Sequence, residues 1–480
     1  MDPDSGAGLL HRLTSYSPDR DWDMPADDPR VRHDLEPNEV ATFPPPMKSY
    51  DPGLPTVLLP RDLPDPGVSA TSVLAGVEAD PRPLDAAWLG RLLFLGAGVV
   101  RTYDHADGRR FLFRASGSAG ARFPLEVYAC TRGVAGVPDG VHWYDGQRHA
   151  LVQVGPAPEG TATTLVVTGV PWRTGWRYAE RGWRHLYWDG GTLLAQLSAA
   201  ARSAGWPAGI RSVFPDASAR RLVGADGVHE YPLALLTVAD GDPAIGPAGD
   251  AVAGELPPVE FPLCTAAQEA GERSRVGRAW LEGPVLEHVP PSDSLDAVTL
   301  RRGSQRLMDR SRTLPRETLE WSMAAATRGI DVPHWVVVHG VDDVPAGVYR
   351  WFDGLVPVYA GDLRDEAMRV CLDQMLAADA AFVVVSAAPA AVLDDRSYRA
   401  AQLAAGVVEG RLHLAAYALG ASASGMTFLD SEVPAFLGIE EDVATLLFTC
   451  VGVPEYASRS GGRPGAPVEV RMVTPRLGDE

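Results

Sequence analysis

The chain has 480 residues, 46% of them apolar, and 43 Lys and Arg against 62 Asp and Glu, a formal net charge of −19. That length carries two or three domains with cores of their own, and that charge argues against nucleic acid or an anionic membrane as partner, since a like-charged body is repelled by both. Cys130, Cys264, Cys371 and Cys450 stand far apart with no CxxC pair, so neither a zinc site nor a disulfide framework is signalled and a reducing cytoplasm is the expected setting.

The N-terminus is charged and proline-rich, and no apolar run approaches the roughly 18 residues of a membrane span. Residues 1–62 read as an arm. Tyr16, Trp22, Phe43 and Tyr50 are interspersed with Pro18, Pro44, Pro45, Pro46, Pro52 and Pro55, a composition that favours extended or irregular backbone. The aromatics imply an ordered arm, laid across a later domain or used to dock a partner.

The rest of the chain is a duplication. Val137-Pro-Asp-Gly-Val-His-Trp-Tyr-Asp-Gly146 returns as Val344-Pro-Ala-Gly-Val-Tyr-Arg-Trp-Phe-Asp-Gly354, and the flanking segments recur in the same order. Pro124–Tyr128 matches Pro333–Val337, Leu193–Ala201 matches Val408–Ala416, and Leu235–Val238 matches Leu447–Cys450. A repeat this long means two copies of one domain, placed at 63–245 and 291–480 with a linker over 246–290. Each copy is predicted to be α+β. Thr164–Thr168 and Ala381–Val385 are apolar, β-branched runs of buried-strand type, whereas Gly191–Ala204 and Gln402–Leu419 are Ala- and Leu-rich helices ended at Gly205 and Gly420.

The copies differ in their arginines. Between Arg301 and Arg316 there are six arginines and one acid, Asp309, in a chain that is acidic overall. Planar guanidinium groups beside the Ser304 hydroxyl suit a phosphate. The same residues also read as the end of a helix capped by Ser292 or Ser294 and closed by a C′ glycine, Gly303, with cations complementing its negative pole. Copy two has Arg302, Ser304 and Arg306 before its first core helix and Arg459 and Arg463 after its last strand, while the matching stretches of copy one hold Arg82 alone and no basic residue. Loss at both ends together points to one phosphate site, kept in copy two.

Arg301–Arg306, Pro333-His-Trp335 and above all Arg114-Ala-Ser-Gly-Ser-Ala-Gly-Ala-Arg-Phe-Pro-Leu-Glu-Val-Tyr128 resemble the flavin-dependent nitroreductase superfamily, and within it the SagB-type azoline dehydrogenases of thiazole and oxazole peptide biosynthesis. The resemblance implies a tandem fold in which the copies form an intramolecular pseudo-dimer with FMN at their interface. On the matching positions, Arg302, Ser304, Arg306, Arg463 and Arg459 would hold the phosphate. Gly117, Ser118, Ala119 and Gly120 would approach ribityl and ring from the other copy, and Gly425, Met426 and Thr427 would lie near the reactive flavin nitrogen. The activity implied is FMN-dependent oxidation of an azoline or similar bond in a modified precursor peptide or peptide-derived molecule, alongside a cyclodehydratase complex, with O2 reoxidising the flavin. The alternatives are an NAD(P)H-dependent small-molecule reductase and a degenerate scaffold subunit.

The catalytic candidates are Arg177 and Tyr178, within Trp172–Arg181, where the azoline oxidases carry Lys-Tyr. Arginine cannot be deprotonated in a protein, so the base role falls to Tyr178 or another residue. His185, His339 and His413 stand apart from other ligand types and read as packing or surface residues, and no metal motif is present.

Overall fold

The computed structural model describes residues 1–480 apart from 22–25, 33–35, 107, 256–258 and 479–480, so Trp22 lies outside the described residues. The N-terminal segment gives α1 (Gly6–Thr14) and β1 (Thr56–Leu58). Copy one then runs α2 (Ala70–Ala75), α3 (Ala86–Ala97), the hairpin β2 (Val99–Asp104) and β3 (Arg110–Arg114), and β4 (Leu125–Thr131), β5 (Gly140–Asp145), β6 (Ala150–Gly155) and β7 (Thr164–Gly169). It closes with α4 (Pro171–Tyr178), α5 (Gly182–Ser203), β8 (Ala208–Arg211), α6 (Asp216–Val223) and β9 (Tyr231–Val238). After α7 (Pro262–Ala270), copy two runs α8 (Leu295–Arg301), α9 (Arg316–Thr327), β10 (His334–Val338), β11 (Gly347–Trp351), β12 (Leu355–Ala360), α10 (Arg364–Val370), α11 (Met375–Asp379) and β13 (Phe382–Pro389). Its last elements are α12 (Asp395–Ala418), β14 (Ser422–Met426), α13 (Val433–Leu437), β15 (Val443–Gly452) and β16 (Val468–Glu469).

The duplication is visible in the topology. Apart from β1 at its edge, the first sheet has the order β6-β5-β4-β7-β9-β8 and the second β12-β11-β10-β13-β15-β14, the same path through equivalent strands. All four sequence matches fall on equivalent elements: β4 with β10, β5 with β11, α5 with α12, and β9 with β15. The central strands read as continuous apolar runs because both faces are covered. Leu165 and Val167 enter a core shared by the two copies, while Val166 enters a second core with Phe214 and Leu222. In copy two Val383 and Val385 likewise face the shared core and Val384 an outer one.

The copies are joined through α5 and α12, which begin earlier than the sequence suggested, at Gly182 and Asp395. Gly191 and Gly406 occupy the same place in each helix. A Cβ on Gly191 would collide with the backbone of Leu403 and Val407, and one on Gly406 would lie 2.8 Å from Trp188 Cα. Only glycine permits that approach, which fixes both copies against one axis.

The arm is irregular over most of its described residues and is laid on copy one, and it departs from the expectation in opening with a helix and in how deeply it is buried. Its helix α1, capped by Ser5, buries Leu9, Leu10 and Leu13, and Lys48 is 4% exposed and ion-paired with Glu230. Phe43 packs on Trp176 at 5.0 Å and Tyr50 on Trp143 at 5.2 Å. The linker also contains a buried helix, α7. Past β15 the chain crosses back, and β16 pairs in parallel with β2 of copy one. Among the described residues no helix is long and apolar enough to cross a membrane.

Candidate functional site

Ser294 caps α8, and the chain leaves that helix at Arg302 in extended geometry. Gly303 has no positive φ, so it is not the left-handed cap the sequence suggested. Its small size serves a close approach instead, since a Cβ there would lie 2.9 Å from Ser458 Oγ. Gln305 N then donates to Ala423 O at 3.1 Å, which holds the loop against β14.

This loop forms one wall of a cleft of about 190 Å³ between the copies. The facing wall is Arg114–Phe123 of copy one, and the strap Val470–Val473 closes a third side. Arg101, Arg114, Arg302, Arg306, Arg459 and Arg471 line the cleft, and no carboxylate does. In a chain of net charge −19 this is a local concentration of positive charge.

The six arginines have different roles. Arg101 directs its donors to carbonyls, Nε to Arg459 O at 2.7 Å and Nη2 to Leu300 O at 2.6 Å and Arg302 O at 3.1 Å. Arg114 bonds to Leu125 O and Pro46 O. These two brace the walls. Arg302 is 3% exposed and anchored by Nη2 to Ala115 O at 2.6 Å and Nη1 to His413 Nδ1 at 3.4 Å, yet its buried Nε has no partner. Burial pushes Arg302 down to about 10. Arg306 is half-buried and pairs with no carboxylate among the described residues, and Arg459 donates Nη1 to Glu469 O at 2.7 Å from an exposed position. An orphaned buried donor on a cation is costly unless an anion meets it.

Gly117 faces these groups. A Cβ there would lie 3.4 Å from Arg302 Nη1, 3.4 Å from Thr192 Cγ2 and 4.0 Å from Ser304 Oγ. Ser118 Oγ donates to Asp189 Oδ2 at 2.5 Å and accepts from Phe123 N at 2.7 Å, and Ala119 N donates to Asp189 Oδ1 at 3.0 Å. Asp189 therefore holds the small-residue turn, and burial raises its carboxyl well above the usual range. Ala121 and Phe123 have φ of 56° and 46°, strain of the kind retained where a turn must take one shape.

The structure thus brings Arg302, Ser304, Arg306 and Arg459 together with Gly117 and Ser118. Ala119 and Gly120 continue the turn outside the cleft lining. Arg463 is exposed on a turn with Ala466 and does not reach the cleft. Gly425 and Met426 end β14 and Thr427 follows. They do not line the cleft but connect to it through Glu409, whose carboxylate sits against Gly425, so that a Cβ there would lie 2.9 Å from Glu409 Cδ. Thr192 Oγ1 donates to Glu409 Oε2 at 3.4 Å, and Thr427 Oγ1 is buried without a partner.

Arg177 and Tyr178 also lie outside the lining, behind the turn: a Cβ at Gly120 would be 2.6 Å from Tyr178 Oη. Tyr178 stacks on His185 at 4.1 Å and 11°, with exposed Arg177 over its ring at 5.7 Å, and burial raises its phenol. The other arginines of that stretch are structural. Arg173 pairs with Glu126 at 2.6 Å, and Arg181, with Arg184, pairs with Asp430 of copy two at 2.6 Å. His413, read from the sequence as a packing or surface residue, is buried between Arg302 and Glu409. Asp189, Glu409 and His413 carry no local motif. The one available signal was their place in the repeat, opposite Ala404, Leu194 and Ser198 of the other copy.

No family model matches the chain. Its sequence is 29% identical to a "putative nitroreductase" of Methanocaldococcus jannaschii over 171 residues, 32% of this chain and 81% of that protein. Its fold is similar to the crystal structure of a "putative nitroreductase" from Anabaena variabilis, with a TM-score of 0.72 at 22% identity over 94% of this chain and 100% of that one. A match of that span includes both copies, and the architecture of the chain is an α+β, nitroreductase-like fold.

Proposed function

We propose that the protein is an FMN-dependent oxidoreductase, with one composite site between the copies, that oxidises an azoline or similar bond in a peptide-derived substrate. The observation that carries the reading is the arginine-lined cleft in which Arg302 and Ser304 face Gly117 across the seam. Its residues suit the cofactor: the orphaned Nε of Arg302 with Arg306 and Ser304 forms a place for a phosphate, and the small side chains of Gly117 and Ser118 let a planar group approach the backbone. The redox class is supported by the names of the two similar proteins, and the peptide substrate by the resemblance of Arg114–Tyr128 to SagB-type dehydrogenases. The implied partners are a modified precursor peptide and a cyclodehydratase complex, and O2 is the expected terminal acceptor.

FMN when bound supplies a two-electron acceptor for hydride. The chain's residues bind and orient. Arg302 and Arg306 hold the phosphate, Asp189 fixes the turn through Ser118 and Ala119, and Arg177, permanently charged, can orient substrate but not take its proton. Tyr178, its phenol raised by burial, stays protonated at neutral pH and can relay a proton rather than begin as the base. The absorbance spectrum of purified protein tests the reading: a flavin band, with flavin released as FMN, is expected. A colourless protein that takes up no FMN favours a scaffold, and rapid bleaching by NADPH without peptide favours a small-molecule reductase.

A further inference from the structure

Arg302 is not positioned by its own loop. Its Nη1 bonds to His413 Nδ1 at 3.4 Å, and His413 Nε2 lies 3.6 Å from Glu409 Oε1, one helical turn earlier on α12. An arginine N–H can only donate, so Nδ1 accepts from it and the ring proton sits on Nε2, on the side of the carboxylate but beyond hydrogen-bond distance of it. Thr192 of copy one donates to the same carboxylate at 3.4 Å. The order Thr192, Glu409, His413, Arg302 therefore runs along the seam and ends at the buried guanidinium whose Nε has no partner.

The repeat supplies a second observation. Counting three and seven residues on from Gly191 and from Gly406 reaches Leu194 and Ser198 in copy one, but Glu409 and His413 in copy two. The helix α8 ends at Arg302, whereas α2 ends at Gly76. Carboxylate, imidazole and guanidinium thus occur together at these positions of one copy and at none of the matched positions of the other, where the guanidinium against Gly76 comes instead from Arg328. Groups needed only for packing have no reason to be gained or lost as a set.

We infer that His413, beside Glu409 on α12, is a positioning residue that aims Arg302 at the phosphate of the bound flavin. A buried imidazole fits that role, because desolvation keeps His413 below its usual range, so it stays neutral and can accept from the guanidinium. Glu409 stands on the Nε2 side of the ring at 3.6 Å, and Arg302 Nη2 donates to Ala115 O of copy one at 2.6 Å, so the phosphate grip of copy two depends on correct docking of copy one.

The inference rests on the flavin reading, and the experiment separates the two. FMN and riboflavin are titrated separately onto the flavin-free full-length chain by fluorescence quenching. Wild-type protein should prefer FMN, and the absence of any preference would overturn the phosphate reading itself. His413→Phe should weaken FMN by about tenfold and leave riboflavin unchanged, since only the phosphate contact is disturbed. His413→Asn, whose Oδ1 can accept where Nδ1 did, should restore most of the loss. Equal weakening of both flavins, or an unchanged FMN preference in His413→Phe, would overturn the positioning role. Should His413→Phe not fold, Glu409→Gln keeps the volume and is read the same way: an FMN-specific loss of about threefold is expected, and an unchanged preference would overturn the inference.

Discussion

Replacing Arg302 by Met separates a ligand-binding arginine from one that merely complements a helix end, because the two roles predict opposite effects. Met keeps the unbranched stem and removes the charge. In the flavin-free protein Ala115 O and His413 Nδ1 lose their donor, about 1–2 kcal/mol together, while an incompletely bonded buried guanidinium is removed, a gain of similar size. The flavin-free variant should therefore differ in stability by no more than about 1 kcal/mol. With FMN the loss is one-sided: a charge-assisted bond to phosphate contributes about 1.5–3 kcal/mol, so Kd should rise roughly ten- to a hundredfold. The consequence is measurable by thermal melting. At an FMN concentration near 100 times the wild-type Kd, binding stabilises the folded state by about 2.7 kcal/mol, and a thirtyfold weaker variant retains only about 1 kcal/mol of it. Flavin-free melting should be nearly unchanged while the FMN-induced shift shrinks by more than half. A variant that melts lower without flavin but keeps the full FMN shift would refute the ligand-binding role and return Arg302 to a structural one at the end of α8.

Released flavin should amount to one FMN per chain. At the pseudo-equivalent position the Arg328 side chain crowds Gly76, Leu286 N donates to Ala75 O at 3.0 Å and Arg328 Nη1 to Gly283 O at 3.2 Å, so linker and guanidinium fill the space; a ratio near two would contradict this. Tyr178→Phe should keep fold and FMN content but lower turnover of an azoline-containing peptide by about 10², and near-normal turnover would remove Tyr178 from proton relay. Acid should destabilise the protein before its carboxylates titrate. Burial lowers His149 and His339 to about 4 and His334 to about 3, so their neutral forms favour folding above the unfolded value near 6.5 and that contribution is lost as pH falls through the folded values. His149 alone, 1% exposed, amounts to about 3 kcal/mol between pH 6.5 and 4, and a melting temperature flat over that range would refute the sign.

What the sequence made legible follows from the range of each signal. The repeat set the topology because equivalent strands share local patterns, and Arg302, Ser304 and Arg306 were visible because they are neighbours in the chain. The arm was legible as irregular backbone because proline content acts locally, but not its partners, since the burial of Lys48 on Glu230 and of Phe43 on Trp176 is settled by a surface distant in sequence. Gly303 looked like a helix terminator, yet its φ is ordinary and its size answers Ser458, a residue of another loop. Arg463 read as a stronger phosphate candidate than Arg459, yet Arg459 lines the cleft while Arg463 is exposed on the turn with Ala466. His413 read as inert because Glu409 is an ordinary i−4 neighbour on a helix and Arg302 arrives only through tertiary structure.

The asymmetry also gives a physical reason for joining the two copies in one chain. In a symmetric dimer of identical chains every substitution acts at both interfacial sites, so each buried cation and carboxyl must be kept, and desolvated, twice. Covalent duplication removes that constraint. On one side of the α5–α12 axis the chain keeps Arg302, His413, Glu409 and Asp189, with the desolvation that an anion-binding site requires. On the other, Gly76, Ser198, Leu194 and Ala404 stand at the matching places, and the linker packs where a ligand would have entered. Apolar replacement of buried charges that no longer meet a ligand is neutral to stabilising, so the vacated side can be converted to packing while Gly191 and Gly406 hold the axis. The cleft then draws on both copies, with Arg302, Arg306 and Arg459 from one and Arg101, Arg114 and the small-residue turn from the other. On the proposed flavin reading, a complete site needs both copies.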